Sequence, residues 1–75
     1  MREFVEFLVK QIVNKPEELK VDEVIDGTVV TINICADKED MGLIIGKSGR
    51  TIKSIRDLAK AKAIKDKVKV YVTVC

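Results

Sequence analysis

The spacing of apolar residues along this 75-residue chain changes between the helical and the strand period, and this limits its fold more than any other feature. Near the start, apolar residues recur every three or four positions, as in a helix with one buried face. Two strand-like stretches and two helical stretches follow, and the chain closes on one more alternating stretch. The predicted order of elements is therefore αββααβ.

The first helix is predicted from an apolar stripe with polar residues opposite it, and the stripe consists of Phe4, Val5, Leu8, Val9 and Ile12. Phe7 projects toward the polar side of this helix. We expect it at the edge of the core, and a partner-binding surface is the alternative. Pro16 ends the helix, because proline disfavours helical backbone in the residue before it.

Three strands are expected, at residues 20–25, 28–36 and 68–75. Asp26-Gly27 is a strong two-residue hairpin signal, which makes the first two strands antiparallel. The last strand is reached through two helices, and such a crossover makes it parallel to the second strand. The fold class is thus α+β, with a three-stranded mixed sheet covered on one face by three helices.

The two later helices are predicted at residues 41–45 and 50–65. The longer one is expected to bury Ile52, Ile55, Leu58, Ala59 and Ala63. A chain of this length can build one core only, so residues 1–75 are expected to form a single domain.

The chain offers little to an enzyme or a metal centre. It has no His, and no Ser or Cys has a recognisable base beside it, so neither catalytic residues nor a cofactor or metal is predicted. Cys35 and Cys75 lack the short spacing of a zinc or redox motif. Free thiols in a reducing cytoplasm are expected, since neither a signal peptide nor a membrane span is evident.

Charge is distributed very unevenly. Residues 1–46 hold five Lys/Arg against ten Asp/Glu, a net charge of −5, whereas residues 47–75 hold nine against two, a net charge of +7. This asymmetry suggests a basic face for a polyanion, although solvated lysines would give the same count.

The loop Gly46-Lys47-Ser48-Gly49, called the GKSG loop below, joins the two later helices. Glycine at both ends allows a sharp turn and leaves the backbone N–H groups accessible to a phosphate. Lys47, Arg50 and Lys53 add positive charge around it. Lys53, Arg56 and Lys60 are spaced i, i+3, i+7, which places them in one stripe beside the apolar face.

A nucleotide-binding P-loop is the rival interpretation of this segment. Residues 42–48 are one residue short of the G-x-x-x-x-G-K-[ST] pattern, and that pattern follows a strand, whereas residues 41–45 look helical. We therefore rank nucleic-acid binding above nucleotide binding.

Residues 42–52, with the sequence GLIIGKSGRTI, resemble the I-G-x-x-G core of the KH family. The extra helix and strand before that core resemble the type II arrangement, and residues 4–10 and 14–18 are similar to the small bacterial KH proteins of the KhpA type. In KH domains the G-x-x-G loop clamps the backbone of about four single-stranded nucleotides, beside an apolar groove for the bases.

The resemblance implies a role for each matching residue. Gly46, Lys47, Ser48 and Gly49 would form the RNA-binding backbone clamp, with Arg50 and Lys53 contacting phosphates. Arg56 is predicted to bind RNA through its place in the basic stripe and not through the resemblance. Ile45 and Ile52 would floor the base groove, or pack in the core. Gly42 would allow a nucleotide to approach the short helix, or two helices to pack tightly.

The resemblance also implies partners and a cellular role. The implied partners are single-stranded RNA and a larger KH protein of the KhpB type. The implied role is an RNA-chaperone activity linked to cell shape and envelope growth. Aromatic residues are scarce, at 4%, so base recognition is expected to be weak. The alternative is a dimerisation module with little RNA affinity, using Phe7 or the open sheet face in a homodimer or heterodimer.

Overall fold

The computed structural model describes residues 1–75 as three helices and three strands. The helices are α1 (Arg2–Lys10), α2 (Lys38–Ile45) and α3 (Arg50–Asp66), and the strands are β1 (Lys20–Asp26), β2 (Val29–Cys35) and β3 (Lys69–Val74). Two 3₁₀ turns, at Pro16–Glu18 and Lys47–Gly49, complete the chain. The predicted order and the α+β class are confirmed. None of the helices is both long and apolar enough to cross a membrane.

The sheet has the order β1-β2-β3, with β1 antiparallel and β3 parallel to β2. Asp26 pairs with Val29, so the two residues of the hairpin turn are Gly27 and Thr28, one position later than predicted. Gly27 has a φ of 63° and Thr28 has no positive φ. Glycine at the first central position is what a type II′ turn requires, and that preference sets the register.

One face of the sheet packs against the helices. The buried apolar residues come from every element and are Val5, Val9, Val21, Val30, Ile32, Ile34, Ile44, Ile52, Ile55, Ala59, Ala63, Val70 and Val72. On the strands they alternate with exposed or half-buried residues, as the strand period demands. The predicted stripes of α1 and β3 thus meet in one core.

Two predictions about apolar side chains are wrong. Leu58 was expected in the core but is 49% exposed, because it lies one position, or about 100°, from the buried Ala59 on the helical wheel. Phe7 was expected at the core edge but is 63% exposed, since α1 buries only the side that carries Val5 and Val9.

Asp40 is the one buried charged residue. Its carboxylate oxygens accept hydrogen bonds from the backbone N–H groups of Asn14, at 3.0 Å, and Lys15, at 2.9 Å. These bonds fasten the segment after α1 to the first turn of α2. Asp37 caps the same helix by accepting from the Glu39 N–H. Asp40 therefore fixes the helix that leads into the GKSG loop.

The expectation of free thiols is also wrong, because Cys35 and Cys75 form a disulfide. Ile34 pairs with Val74 in the parallel ladder, so the next residue of each strand lies beside the other, with 5.2 Å between the Cα atoms. That separation is normal for a disulfide. The two cysteines are 40 residues apart in sequence, and only the pairing of β2 with β3 brings them together.

Candidate nucleic-acid interface

The GKSG loop turns the chain between α2 and α3 through three residues of positive φ. They are Gly46 (77°), Ser48 (57°) and Gly49 (74°). Only glycine adopts this region without steric cost, so both glycines of the motif serve the turn itself. Ser48 is the exception, since non-glycine residues there are uncommon. The shape of the loop is therefore determined by the backbone dihedral angles of these three residues.

Gly46 is required for a second reason. A Cβ atom at this position would clash with the Thr51 side chain and lie 2.9 Å from the Thr51 backbone nitrogen. The first turn of α3 is thus packed directly on the end of α2. No residue other than glycine fits there without moving α3.

Gly49 and Gly42 differ from Gly46, because a Cβ atom at either would meet nothing within 4 Å. Tight packing of two helices therefore does not explain Gly42. Both glycines instead leave the surface open around the loop. A phosphodiester backbone could approach the protein main chain on this side without obstruction.

The first N–H groups of α3 lie at this open surface. The Arg50 N–H already donates to the Lys47 carbonyl oxygen. Gly49 is the N-cap residue and makes no side-chain capping bond, so the N–H groups that follow Arg50 have no side-chain acceptor. No acidic residue lies in the first turn of the helix. Uncapped donors and the positive end of the helix dipole favour an anion at this position.

The predicted basic residues are in three different situations. Lys47 and Arg50 are near the loop and make no salt bridge, so their charges are available to a ligand. Lys53 pairs with Asp57 at 3.1 Å, which reduces its net contribution. Arg56 donates from Nε to the Val72 carbonyl oxygen, at 3.0 Å, and so lies across the gap between α3 and β3.

The stripe of Lys53, Arg56 and Lys60 lies on the flank of α3 that faces β3. Opposite it, Lys62 lies over the Phe4 ring, 5.8 Å from the centroid, which shows that α1 covers the other flank. Between α3 and β3 is a cavity of about 220 Å³, bordered by Arg56, Lys60 and residues 70–73. The loop and this cavity are at successive points along the same helix.

β3 is an outer strand, so half of its backbone groups point to the unpaired edge of the sheet, and residues 70–73 of that edge border this cavity. The Lys69 and Cys75 N–H groups donate to β2, at Thr28 and Ile34. Because backbone direction alternates along a strand, the groups of Val70, Val72 and Val74 point away from β2. The Val72 carbonyl oxygen already accepts from Arg56. The backbone N–H and C=O of Val70 have no strand beside them on this outer edge.

The two predicted groove residues lie at different depths. Ile52 is only 6% exposed and its side chain packs in the core, whereas Ile45, at the end of α2, is 36% exposed. Ile45 therefore has apolar surface to offer a base, and Ile52 has very little.

The outer edge of β3 is the part of the site that sequence reasoning missed. Val70, Tyr71 and Thr73 line the cavity. The residues predicted for the site all belong to α2, the loop and α3. The available signal was the position of β3 as the last strand of a three-stranded order, since one of its edges had to remain unpaired.

The family described as KhpA/KhpB, KH domain matches residues 2–74. The chain belongs to the KhpA/KhpB KH-domain family. The predicted resemblance to this family, including its type II order of elements, is thereby confirmed.

Relatives within the family cover nearly the whole chain. The protein named RNA-binding protein KhpA from Clostridium perfringens is 43% identical over 74 residues, which are 99% of each chain. Its namesake from Chlamydia trachomatis serovar D is 46% identical over 70 residues, 93% of this chain and 90% of that protein.

A solved structure shows the same fold in a larger protein. It is Aquifex aeolicus Era bound to GDP.AlF4-, with a TM-score of 0.62 and 24% identity. The alignment covers 99% of this chain and 30% of the Era chain. This similarity concerns the fold alone.

Proposed function

We propose that this protein binds single-stranded RNA, with the GKSG loop as a backbone clamp. The observation that carries the proposal is the loop itself, where positive φ values, open space and uncapped α3 donors meet. Relatives of matching length bear the name RNA-binding protein. The KH mode of binding, in which a G-x-x-G loop holds about four nucleotides, fits these features.

The clamp works through the main chain and two mobile cations. Phosphate oxygens accept from the N–H groups at the start of α3, while Lys47 and Arg50 neutralise the neighbouring phosphates. The strand then follows the basic flank of α3, where Arg56 and Lys60 border the cavity. Ile45 offers apolar surface to a base. This is binding without catalysis, within one KH domain spanning residues 1–75.

Sequence preference follows from what the site lacks. Backbone donors and lysines contact phosphates and carry no sequence information. Tyr71 is the one aromatic residue of β3, but it alternates with the buried Val70 and Val72 and so lies on the open face of the sheet. Gly42 only leaves room for a nucleotide. The protein is therefore sequence-tolerant, and a second RNA-binding module would raise its affinity through avidity.

The decisive experiment replaces Lys47 and Ser48 together with Asp. Fluorescence anisotropy with a labelled single-stranded RNA at low salt should show a loss of affinity of about 100-fold, because two carboxylates would repel the phosphates. Circular dichroism should show an unchanged fold, since both side chains are on the loop surface.

The matched control is Lys65→Asp combined with Gln11→Glu, which changes net charge by the same −3 at exposed sites away from the loop. We expect less than a threefold change in affinity. Equal affinities for the two variants would mean that the loop is not the RNA-binding site.

The family resemblance extends the proposal to partners and cellular role. A KhpB-type protein is the expected heterodimer partner, and the family description joins KhpA and KhpB. We further propose a cytoplasmic RNA-chaperone activity that supports cell shape and envelope growth. Copurification from cells tests the partner, and acceleration of RNA strand annealing tests the chaperone activity.

A dimerisation module is the second candidate function, and the exposed apolar side chains favour it. Phe7 is 63% exposed, and Val24 and Tyr71 lie beside Thr31 on the open face of the sheet. Sedimentation with and without RNA separates the two candidates. A stable homodimer that RNA does not shift would support this second function.

A further inference from the structure

One face of the sheet, called the open face below, has no helix over it. The core that joins the helices to the strands lies entirely on the other face. Strand pairing arranges the side chains of the open face in rows that run across β1, β2 and β3. Two of these rows are Asp26-Val29-Lys69 and Val24-Thr31-Tyr71.

The row at the centre of the open face is largely apolar. Val24 is 65% exposed and Tyr71 is 57% exposed, and the half-buried Thr31 lies between them. Covering such side chains with another apolar surface is favourable. In the next row, the Thr73 hydroxyl donates to the Asn33 side-chain oxygen at 2.9 Å. These polar groups already have partners within the chain, so little is lost when they are covered.

The row that ends at Asp26 and Lys69 carries opposite charges at its two ends. Asp26 belongs to the outer strand β1 and Lys69 to the outer strand β3, with β2 between them. Two strand spacings amount to about 10 Å, which is too far for an ion pair within one chain. Neither residue takes part in any of the salt bridges of the structure.

We propose that the open face binds a second copy of this chain, around a two-fold axis that runs along β2. Rotation about such an axis places β1 over β3 of the second copy and keeps every row opposite itself. Asp26 then faces Lys69 of the second copy, and Val24 faces Tyr71 of the second copy. Each pair occurs twice, and Thr31 lies near the axis. Sheets stacked face to face are about 10 Å apart, which leaves room for both sets of side chains.

The arrangement of charge favours a second copy over an unrelated partner. A row with an acid at one end and a cation at the other is complementary to itself after this rotation, whereas another protein would need the reverse order at the same spacing. Three strands of about 20 Å cover only about 300 Å² on each copy. That area is smaller than the interfaces of stable complexes, so we expect a weak dimer that forms as concentration rises.

The dimer leaves the RNA clamp free in both copies. The helices lie behind each sheet, so the two GKSG loops are on the outer sides of the pair. A single RNA that reached both loops would bind more tightly through avidity. The inference gives the dimerisation candidate a defined surface, and it does not depend on RNA binding.

The test reverses the charge at each end of one row. Asp26→Lys and Lys69→Asp are made separately, and sedimentation equilibrium without RNA measures self-association from micromolar to millimolar protein. Each variant alone places like charges opposite each other at two sites and should weaken self-association about 20-fold. An equimolar mixture of the two variants should recover the wild-type association within about threefold, because the mixed dimer has two pairs of opposite charge again.

Matched controls change the same charges away from the open face. Glu17→Lys and Lys65→Asp, at exposed residues, should each keep the wild-type association within about threefold, alone or mixed. In the central row, Val24→Asp should weaken association about tenfold and Val24→Ile should retain it. All of these positions are exposed, and circular dichroism of each variant should match that of the wild type.

Three results would overturn the inference. They are a wild type that stays monomeric at the highest concentration, charge variants that associate as the wild type does, and a mixture that fails to recover. The second result would place the dimer on another face of the chain. RNA binding by a monomeric wild type would leave the clamp standing and remove this inference alone, whereas the expected dimer without RNA binding would remove the clamp alone.

Discussion

The two outer edges of the sheet differ in charge and in cover, although one strand separates them. On β1, Asp22, Glu23 and Asp26 make the edge acidic, and Glu23 accepts from the Arg2 N–H at 3.0 Å. Beside β3, Arg56 and Lys60 of α3 make the edge basic and border an open groove. The two edges have charges of opposite sign, because β1 comes from the acidic half of the sequence and β3 from the basic half.

Under the proposed function, the basic half supplies the ligand surface and the acidic half supplies structure around it. The acidic residues of the first half are used as caps and anchors, as Asp37 and Asp40 show. The basic residues near the loop have few partners within the protein.

The Cys35–Cys75 disulfide joins the two halves and should have the largest effect. Cys75→Ser is expected to lower the free energy of unfolding by about 3 kcal/mol, since the bond closes a loop that contains α2 and α3. Urea denaturation of the oxidised protein measures this. Reductant should destabilise the wild type to the same level and leave the Cys35→Ser/Cys75→Ser double variant unchanged. If reductant left the free energy of unfolding of the wild type unchanged, the disulfide would contribute nothing to stability.

Asp40 tests whether the acidic half is structural. Asp40→Asn removes one of two acceptors for the Asn14 and Lys15 N–H groups, and we expect a loss of about 2 kcal/mol in the free energy of unfolding. Glu39→Gln, at an exposed position of the same turn, is the control and should cost less than about 0.5 kcal/mol. Equal stabilities would contradict a structural role for Asp40.

Arg56 tests whether the basic edge acts on RNA. Arg56→Ala should lower RNA affinity about fivefold and reduce the slope of log affinity against log salt by about 1. Arg56→Lys should retain most of that slope. As a comparison across the sheet, Asp22→Asn on the β1 edge should change affinity less than twofold. An equal effect at both edges would remove the distinction between them.

Much of the fold followed from periodicity, and the errors have a common cause. The Asp26-Gly27 signal placed the hairpin within one residue, because turn chemistry is local. Leu58 and Phe7 were misplaced, because a helical wheel gives the relative direction of side chains but not the width of the face that neighbours cover. The position of Asp40 could not be predicted, since its partners lie 25 and 26 residues away.

The candidate site divides in the same way. The GKSG loop, its glycines and the stripe on α3 could be located in the sequence, because each depends on residues within a few turns of one another. The outer edge of β3, with the Val72 carbonyl beside Arg56 and the Val70 groups beyond it, could not. Strand pairing between distant segments decides which backbone groups remain free.

The order of elements, the KH-type loop and the separation of acidic from basic residues could all be predicted from the sequence, because they are local properties of the chain. What those features face depends on how the elements pair and pack. Parallel pairing of β2 with β3 brought Cys35 to Cys75 and left one edge of β3 open along the basic flank of α3. The physical reason is that contacts between residues far apart in sequence depend on register and packing, which no local pattern specifies.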